Sequence, residues 1–311
     1  MRPPERDLAH CHALLARGSR SFSFAARLLP GPLADPVAAL YAFCRVSDDL
    51  VDESDDPRAA LGALEDRLAQ AYAGRPTDDP VDRALAWLAE EHALPRAPLE
   101  ALLEGYLWDV EARRYETLSD VIGYGVRVAG SVGVAMSWLM GRREPHVLAR
   151  ACDLGVAMQL TNIARDVGDD ARLGRVYLPA SWLDMDRDAR ARWLASPRPT
   201  ARVRDATRRL LDHADVLYLR AQAGIDALPR EVRPAIRVAS AVYAAIGQVV
   251  RARGHDAVRA RAVTSTPDKV RLAAAALARE ALSQVRPDAG RHAALHAPPL
   301  TEAAYLCAPA G

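Results

Sequence analysis

Cysteine is scarce in this 311-residue chain, and the scarcity is informative. Only Cys11, Cys44, Cys152 and Cys307 occur, far apart, with no C-x-x-C pair and no Cys/His cluster. A zinc site or a redox motif is therefore not expected, and scattered single cysteines suit a reducing cytoplasm. Aromatic residues are 5% of the chain. Strand-favouring residues are thin against abundant Ala, Leu and Arg, which form helices. A charge surplus is also missing: 41 Lys+Arg stand against 40 Asp+Glu, a net charge of +1. Without a basic excess to neutralise phosphates, nucleic acid is not an expected partner. The longest nearly uncharged stretch, from Val128 to Gly141, is too short and too Gly-rich to span a bilayer. Met1 to Asp7 lacks the apolar run of a signal peptide. A soluble protein, or one lying against a membrane surface, is expected. No Gly/Ser-rich linker and no repeat period divides the chain, so one domain is expected although the length allows two. Half of the residues are hydrophobic and 26% are charged, a globular composition rather than a disordered one.

Helical periodicity runs from end to end. It predicts helices at about 5–17, 35–53, 57–73, 79–92, 97–113, 119–140, 145–170, 200–223, 231–253 and 267–288, with one or two short pieces between 172 and 200. Pro and Gly punctuate them. Asp35-Pro36 and Thr266-Pro267 read as N-caps followed by a first-turn proline. The expected organisation is an all-α domain over 1–290 and a loose Ala-, Pro- and His-rich tail over 291–311.

Two acidic clusters lie in apolar company. In the first, Asp48 and Asp52 share a helix face, with Arg45 and Tyr41 one and two turns earlier. Taken alone, such a cluster is equally a solvated acidic face. In the second, Asn162, Asp166 and Asp170 form a straight row at i, i+4 and i+8, after the apolar Leu154, Val156, Met158 and Leu160. Carboxylates at the edge of a buried helix need a counter-charge, and oxygen-ligated divalent cations supply one. Mg²⁺ takes one or two carboxylates and is completed by waters and substrate phosphates. Two such rows facing each other fit the ionisation of an allylic diphosphate, with an apolar cavity to shelter the cation from water. Arg45, Arg165, Arg172 and Arg175 lie nearby and suit phosphate binding, though in so Arg-rich a chain each alone is equally a surface residue.

These stretches resemble the squalene/phytoene synthase family, in its bacterial phytoene-forming branch. The resemblance is carried by SRSFSFAARLLP from Ser19, YAFCRVSDDLVDE from Tyr41, YGVRVAGSVG from Tyr124 and QLTNIARDVGDDARLGRVYLP from Gln159, in the family's order and spacing. It implies the all-α isoprenoid synthase fold, a single helical domain around a central cavity. It implies Mg²⁺ (or Mn²⁺) ligation by Asp48, Asp52, Asn162, Asp166 and Asp170, with Asp49 turned away on an ideal helix. Ser19, Ser21, Arg45 and Arg165 match diphosphate-binding positions, and Tyr41 and Tyr124 match cavity tyrosines near the reacting carbons. Val126 stands where many relatives have a second tyrosine, and Asp169 where many have Glu. Met136, Trp138, Leu139 and Met140 read as helix-packing residues or as cavity lining.

The implied reaction is head-to-head condensation of two geranylgeranyl diphosphates to phytoene through a cyclopropyl diphosphate. No NADPH is expected, and either released diphosphate, Tyr41 or Tyr124 serves as base. The alternatives are squalene or dehydrosqualene synthesis from farnesyl diphosphate, and a non-catalytic assembly scaffold. So apolar a product implies peripheral contact with the inner face of the cytoplasmic membrane, or hand-over to a desaturase.

Overall fold

The computed structural model describes residues 2–18, 20–285 and 290–308, with side chains described except at 20–22 and 283–292. In chain order the helices are α1 (Glu5–Gly18), α2 (Arg20–Ala26), α3 (Gly31–Asp52), α4 (Pro57–Tyr72), α5 (Pro80–Glu91), α6 (Ala97–Val110), α7 (Leu118–Gly125) and α8 (Ser131–Leu139). They continue with α9 (Pro145–Arg172), α10 (Ala180–Leu183), α11 (Arg187–Ala195), α12 (Ala201–Ala227), α13 (Arg233–Ala252), α14 (Thr266–Val285), α15 (Gly290–Leu295) and α16 (Ala304–Cys307). Among the described residues there is no strand.

Local chemistry sets several of the helix starts. Asp56, Asp79, Asp186 and Thr200 cap the helices that follow them by accepting backbone N–H bonds. Thr117 and Asp120 form a reciprocal capping box at α7. One start differs from the sequence expectation. α3 begins at Gly31, with Pro36 inside it, and Asp35 does not cap. The Asp35 carboxylate is instead engaged by Arg2 and His12 at 2.6 and 2.8 Å. The helix α2 was not expected at all.

The predicted helix at 119–140 is α7 and α8 joined by a π-helical turn, Val126–Gly130. Wide turns of this kind recur at functional sites. Here it lies where small residues let two backbones meet. A Cβ on Gly155 of α9 would stand 2.2 Å from the Ala129 carbonyl oxygen, and one on Gly133 would stand 2.4 Å from the Ala151 carbonyl oxygen. Both obstacles are backbone and cannot rotate away. Gly155→Ala is expected to push α9 off the π turn and cost about 1–3 kcal/mol, measured as a lowered denaturant midpoint at unchanged slope. A midpoint equal to the parent's would refute the close approach.

Among the described residues the two larger apolar clusters lie among α1, α3, α4, α5 and α6 and around α9, α12 and α13, and a small third one gathers Met140, Val147, Leu228 and Val232. α9 is the central element, packed along α12 and α8. α13 is long and apolar enough to cross a bilayer by length and composition, yet Val238, Val242, Ile246 and Val250 are buried in the protein core. Arg237, also buried, ties α13 to Asp226 of α12 and Glu280 of α14.

Within the expected tail, residues 309–311 lie outside the described residues, and part of the described segment packs on the body. Ala303, Leu306 and Cys307 are buried. The Ala294 carbonyl accepts from Arg150, and the Pro298 carbonyl accepts from Arg150 and Arg220. Buried guanidinium groups need acceptors, and this segment supplies them.

Candidate active site

Burial fixes which way each motif faces. Val37, Ala38, Leu40 and Phe43 lock α3 into the core, so its last turns carry Arg45, Asp48 and Asp52 outward. On α9 the buried Val156, Leu160, Ile163, Ala164 and Val167 leave Asn162, Asp166 and Asp170 on one side.

Two connected cavities lie between these helices. One, of about 330 Å³, is apolar and lined by residues such as Leu40, Val132, Met136, Met140, Leu154, Met158 and Ile236. The other, of about 530 Å³, is polar and lined by Arg45, Asp48, Tyr106, Asp109, Tyr124, Arg165, Arg261 and Lys269 among others. Tyr41, Cys44, Val128, Gln159, Asn162 and Tyr243 line both, so the apolar tunnel opens into the polar mouth. Along α9 the tunnel extends from Asn162 to Val147, about 22 Å at 1.5 Å per residue. Gly18 makes room at the junction: a Cβ there would stand 2.3 Å from the Tyr41 hydroxyl.

The mouth is a lattice of carboxylates and guanidinium groups. Arg45 donates to Asp49 at 2.9 Å and stands 3.8 Å from Asp48. Arg175, just beyond α9, reaches Asp52 of α3 at 2.8 Å, so the two acid-bearing helix ends meet. Asp166 accepts from Arg165 at 2.8 Å and from Arg261 at 2.6 Å. Burial opposes the charge on Asp166, but these bonds outweigh it and hold its carboxyl below the ordinary range. Asp48 and Asp170 behave oppositely. Burial in the mouth, then repulsion from Asp52, pushes Asp48 up to about 6. Burial, then repulsion from Asp166, pushes Asp170 up to about 7. Both are carboxylates short of positive charge.

Of the residues expected from sequence, Tyr41, Arg45, Asp48, Tyr124, Asn162 and Arg165 line the mouth. Asp166 adjoins it through the mouth-lining Arg165 and Arg261, Asp52 is held by Arg175, and Asp170 feels the charges of Asp166, Arg175 and Asp109. Asp49 is engaged by Arg45, and Asp169 by Arg172 and Arg261. Ser19 lies outside the described residues; Ser21 lies on α2, with its side chain outside the description. Met136 and Met140 line the tunnel, whereas Trp138 donates to the His92 carbonyl. Sequence reasoning missed Asp109, Arg261 and Lys269. Lys269 is the chain's one lysine, a compositional signal that was there to be read.

Among the described residues no three His, Cys, Asp or Glu side chains converge to hold an ion unaided. The donor set nevertheless fits Mg²⁺ brought with a phosphorylated ligand, which asks for few protein oxygens at each ion. One observation supports the fit directly. The Asn162 amide nitrogen donates to Gln159 at 3.3 Å, while its buried Oδ1 has no hydrogen-bond partner.

Comparison with known proteins identifies the family. A family profile described as squalene/phytoene synthase matches residues 15–269. A phytoene synthase from Rhodobacter capsulatus is 48% identical over 305 residues, covering 97% of this chain and 89% of that one. A 15-cis-phytoene synthase from a Paracoccus species is 44% identical over 268 residues, covering 83% and 86%. Among solved structures, a dehydrosqualene synthase superposes with a TM-score of 0.81 at 31% identity, over 88% of this chain and 96% of that one. A squalene synthase from Alicyclobacillus acidocaldarius gives 0.73 at 29% identity, over 80% and 95%.

Proposed function

The chain belongs to the squalene/phytoene synthase family, and on that premise we propose that it joins two molecules of geranylgeranyl diphosphate head to head into phytoene. It is a prenyltransferase of carotenoid biosynthesis with the all-α isoprenoid synthase fold. The observation that carries the reading is the apolar tunnel opening between two acidic rows.

Asp48 and Asp52 on one side, and Asn162, Asp166 and Asp170 on the other, are our assigned ligands for Mg²⁺, with Mn²⁺ as a substitute. When bound with the diphosphates, the metal neutralises the departing group. Arg45, Arg165, Arg261 and Lys269 add fixed positive charge on the phosphate oxygens. We assign Ser19 and Ser21 to the same diphosphate as neutral hydroxyl donors. The donor's allylic cation is attacked by the acceptor's C2–C3 double bond, and proton loss closes a cyclopropane. That intermediate ionises and rearranges to join the two C1 carbons, and a second proton loss forms the central double bond. The tunnel keeps water from the cations and holds the reacting carbons together. Neither half consumes a reductant.

Chain length is the finer point. The sequence relatives cited are named phytoene synthases, whereas the solved structures are named for dehydrosqualene and squalene synthesis. Farnesyl diphosphate is therefore the second candidate substrate. With purified protein and Mg²⁺, labelled geranylgeranyl diphosphate is expected to give a C40 hydrocarbon without NADPH, and chelator is expected to abolish it. A C30 product from farnesyl diphosphate would move the chain to the other branch. No turnover of either by folded protein would favour a scaffold. So apolar a product is best delivered to lipid or to a desaturase, and we place the enzyme in the cytoplasm against the membrane's inner face.

A further inference from the structure

The mouth contains a carboxylate that the acidic rows do not include. Asp109 stands near the end of α6 among Leu107, Trp108 and Val110, and lines the mouth beside Tyr124. The Tyr124 hydroxyl donates to Asp109 Oδ2 at 2.7 Å, and the Tyr177 hydroxyl donates to Oδ1 at 2.7 Å. Tyr177 stacks on Tyr124 with ring centroids 5.0 Å apart. Tyr115 packs against both rings, at 5.4 and 5.7 Å. All three rings are buried or nearly so. One carboxylate is thus held from both oxygens by tyrosine hydroxyls inside an aromatic wall.

The surroundings suit such a group to take up a proton. Burial raises the Asp109 carboxyl above its ordinary range, against the hydrogen bonds from Tyr177 and Tyr124 and the charge of Arg175. The charge of Asp52 adds to the rise, and Asp48 and Asp170 feel the charge of Asp109 in turn. Tyr124 is the hydroxyl that both faces the mouth and touches this carboxylate.

We infer that Asp109 is the proton sink of the first condensation step, reached through the Tyr124 hydroxyl; this rests on the prenyl-transfer reading above. The donor's C1, now bonded to the acceptor's C2, is one carbon removed from the cationic C3; a C–H bond on that C1 breaks, and its electron pair forms the C1–C3 bond that closes the cyclopropane ring. The proton passes to Tyr124 Oη as the hydroxyl's own proton moves to Asp109 Oδ2. Tyr124 ends neutral, Asp109 ends as a neutral acid, and no oxidant or reductant takes part. Tyr177 fixes the second oxygen so that the first stays aligned. Asp109 acts through Tyr124 and is a positioning residue.

Asp109→Asn and Tyr177→Phe test this, with melting curves to check folding and each half-reaction assayed separately. Asn keeps the shape and one acceptor but has no carboxylate to protonate. Asp109→Asn is expected to slow formation of the cyclopropyl diphosphate from geranylgeranyl diphosphate by about 10²–10³-fold. KM should change little, and separately supplied cyclopropyl diphosphate should be converted at close to the parental rate. Tyr177→Phe should slow the first step by about tenfold, since it removes one aligning hydrogen bond. A parental first-step rate in Asp109→Asn overturns the inference. So does an equal loss in both half-reactions with a raised KM, the signature of a structural role. If Asp109→Asn does not fold, Tyr177→Phe decides, and a parental first-step rate there overturns it. A parent enzyme that condenses nothing overturns the prenyl-transfer reading and the role of Asp109 with it.

Discussion

Asp170→Ala is expected to slow turnover by about 10²–10³-fold while leaving the protein folded and, in chelator, no less heat-stable than the parent. The same holds for Asp48→Ala. Both carboxyls are raised by burial and then by a neighbouring aspartate, so each is a cost to the folded protein when ionised. Removing either relieves that cost and removes a ligand for the diphosphate's counter-ions. Asp166 differs, because Arg165 and Arg261 both donate to it. Asp166→Ala should lose turnover equally and also cost about 1–3 kcal/mol, through the lost charged hydrogen bonds. The pH dependence separates the two kinds. Asp48 and Asp170 bind protons in the folded protein up to about 6 and about 7, whereas the unfolded value is 3.8. Between those limits the folded state holds more protons, so their contribution to stability grows as pH falls from 7 towards 4. In chelator the Asp48→Ala/Asp170→Ala double variant should show less of this acid-side gain than the parent. Melting curves at several pH values, beside kcat at saturating substrate, check both parts. Near-parental turnover in Asp48→Ala or Asp170→Ala would sink the site assignment.

That contrast among aspartates was not visible in the sequence, although the aspartates were. Their spacing on α9 exposes a polar row wherever the helix is buried on its other side, and the buried run Val156–Val167 is legible in the same segment. The helices were legible for the same reason, since a 3.6-residue period survives whatever the tertiary context. What failed to show were partners brought from a distance. Arg261 lies 95 residues beyond Asp166 in the chain, and Arg175 lies 123 beyond Asp52. Nothing near Asp109 in the sequence marks it out, because its two tyrosine donors come from α7 and from the loop before α10. The π turn at Val126–Gly130 was hidden because α- and π-helical turns share residue preferences, and the close approach of Gly155 that accompanies it is a tertiary fact. The tail's Ala, Pro and His content reads as loose chain, and nothing local signals that its Ala294 and Pro298 carbonyls accept from two distant guanidinium groups.

Arg150 tests that last point and carries the largest stability effect expected. Its side chain is fully buried, as is that of Asp153, and the two stand 2.8 Å apart on α9. Arg220 of α12 reaches the same carboxylate at 2.9 Å. Gly224 permits this: a Cβ there would stand 2.3 Å from the Arg150 Cβ, so α12 can lie this close only without one. Burial works against both charges, lowering Arg150 and raising Asp153. Such a pair adds little net stability, but breaking it leaves a buried charge underserved. Arg150→Met is therefore expected to cost about 3–5 kcal/mol, read from the denaturant midpoint, and to strip the donor from the Ala294 carbonyl. Residues 293–308 should then become protease-sensitive before the helical body does. Arg150→Met combined with Asp153→Leu should recover most of the lost stability, because no fully buried charge remains there and the partly exposed Arg220 keeps the Pro298 carbonyl, yet should not restore protection of the tail. If the single variant is as stable as the parent, Arg220 alone satisfies Asp153 and the pair is dispensable. If the double variant re-protects the tail, apolar contacts of Ala303, Leu306 and Cys307 hold the segment down rather than the guanidinium groups beneath it.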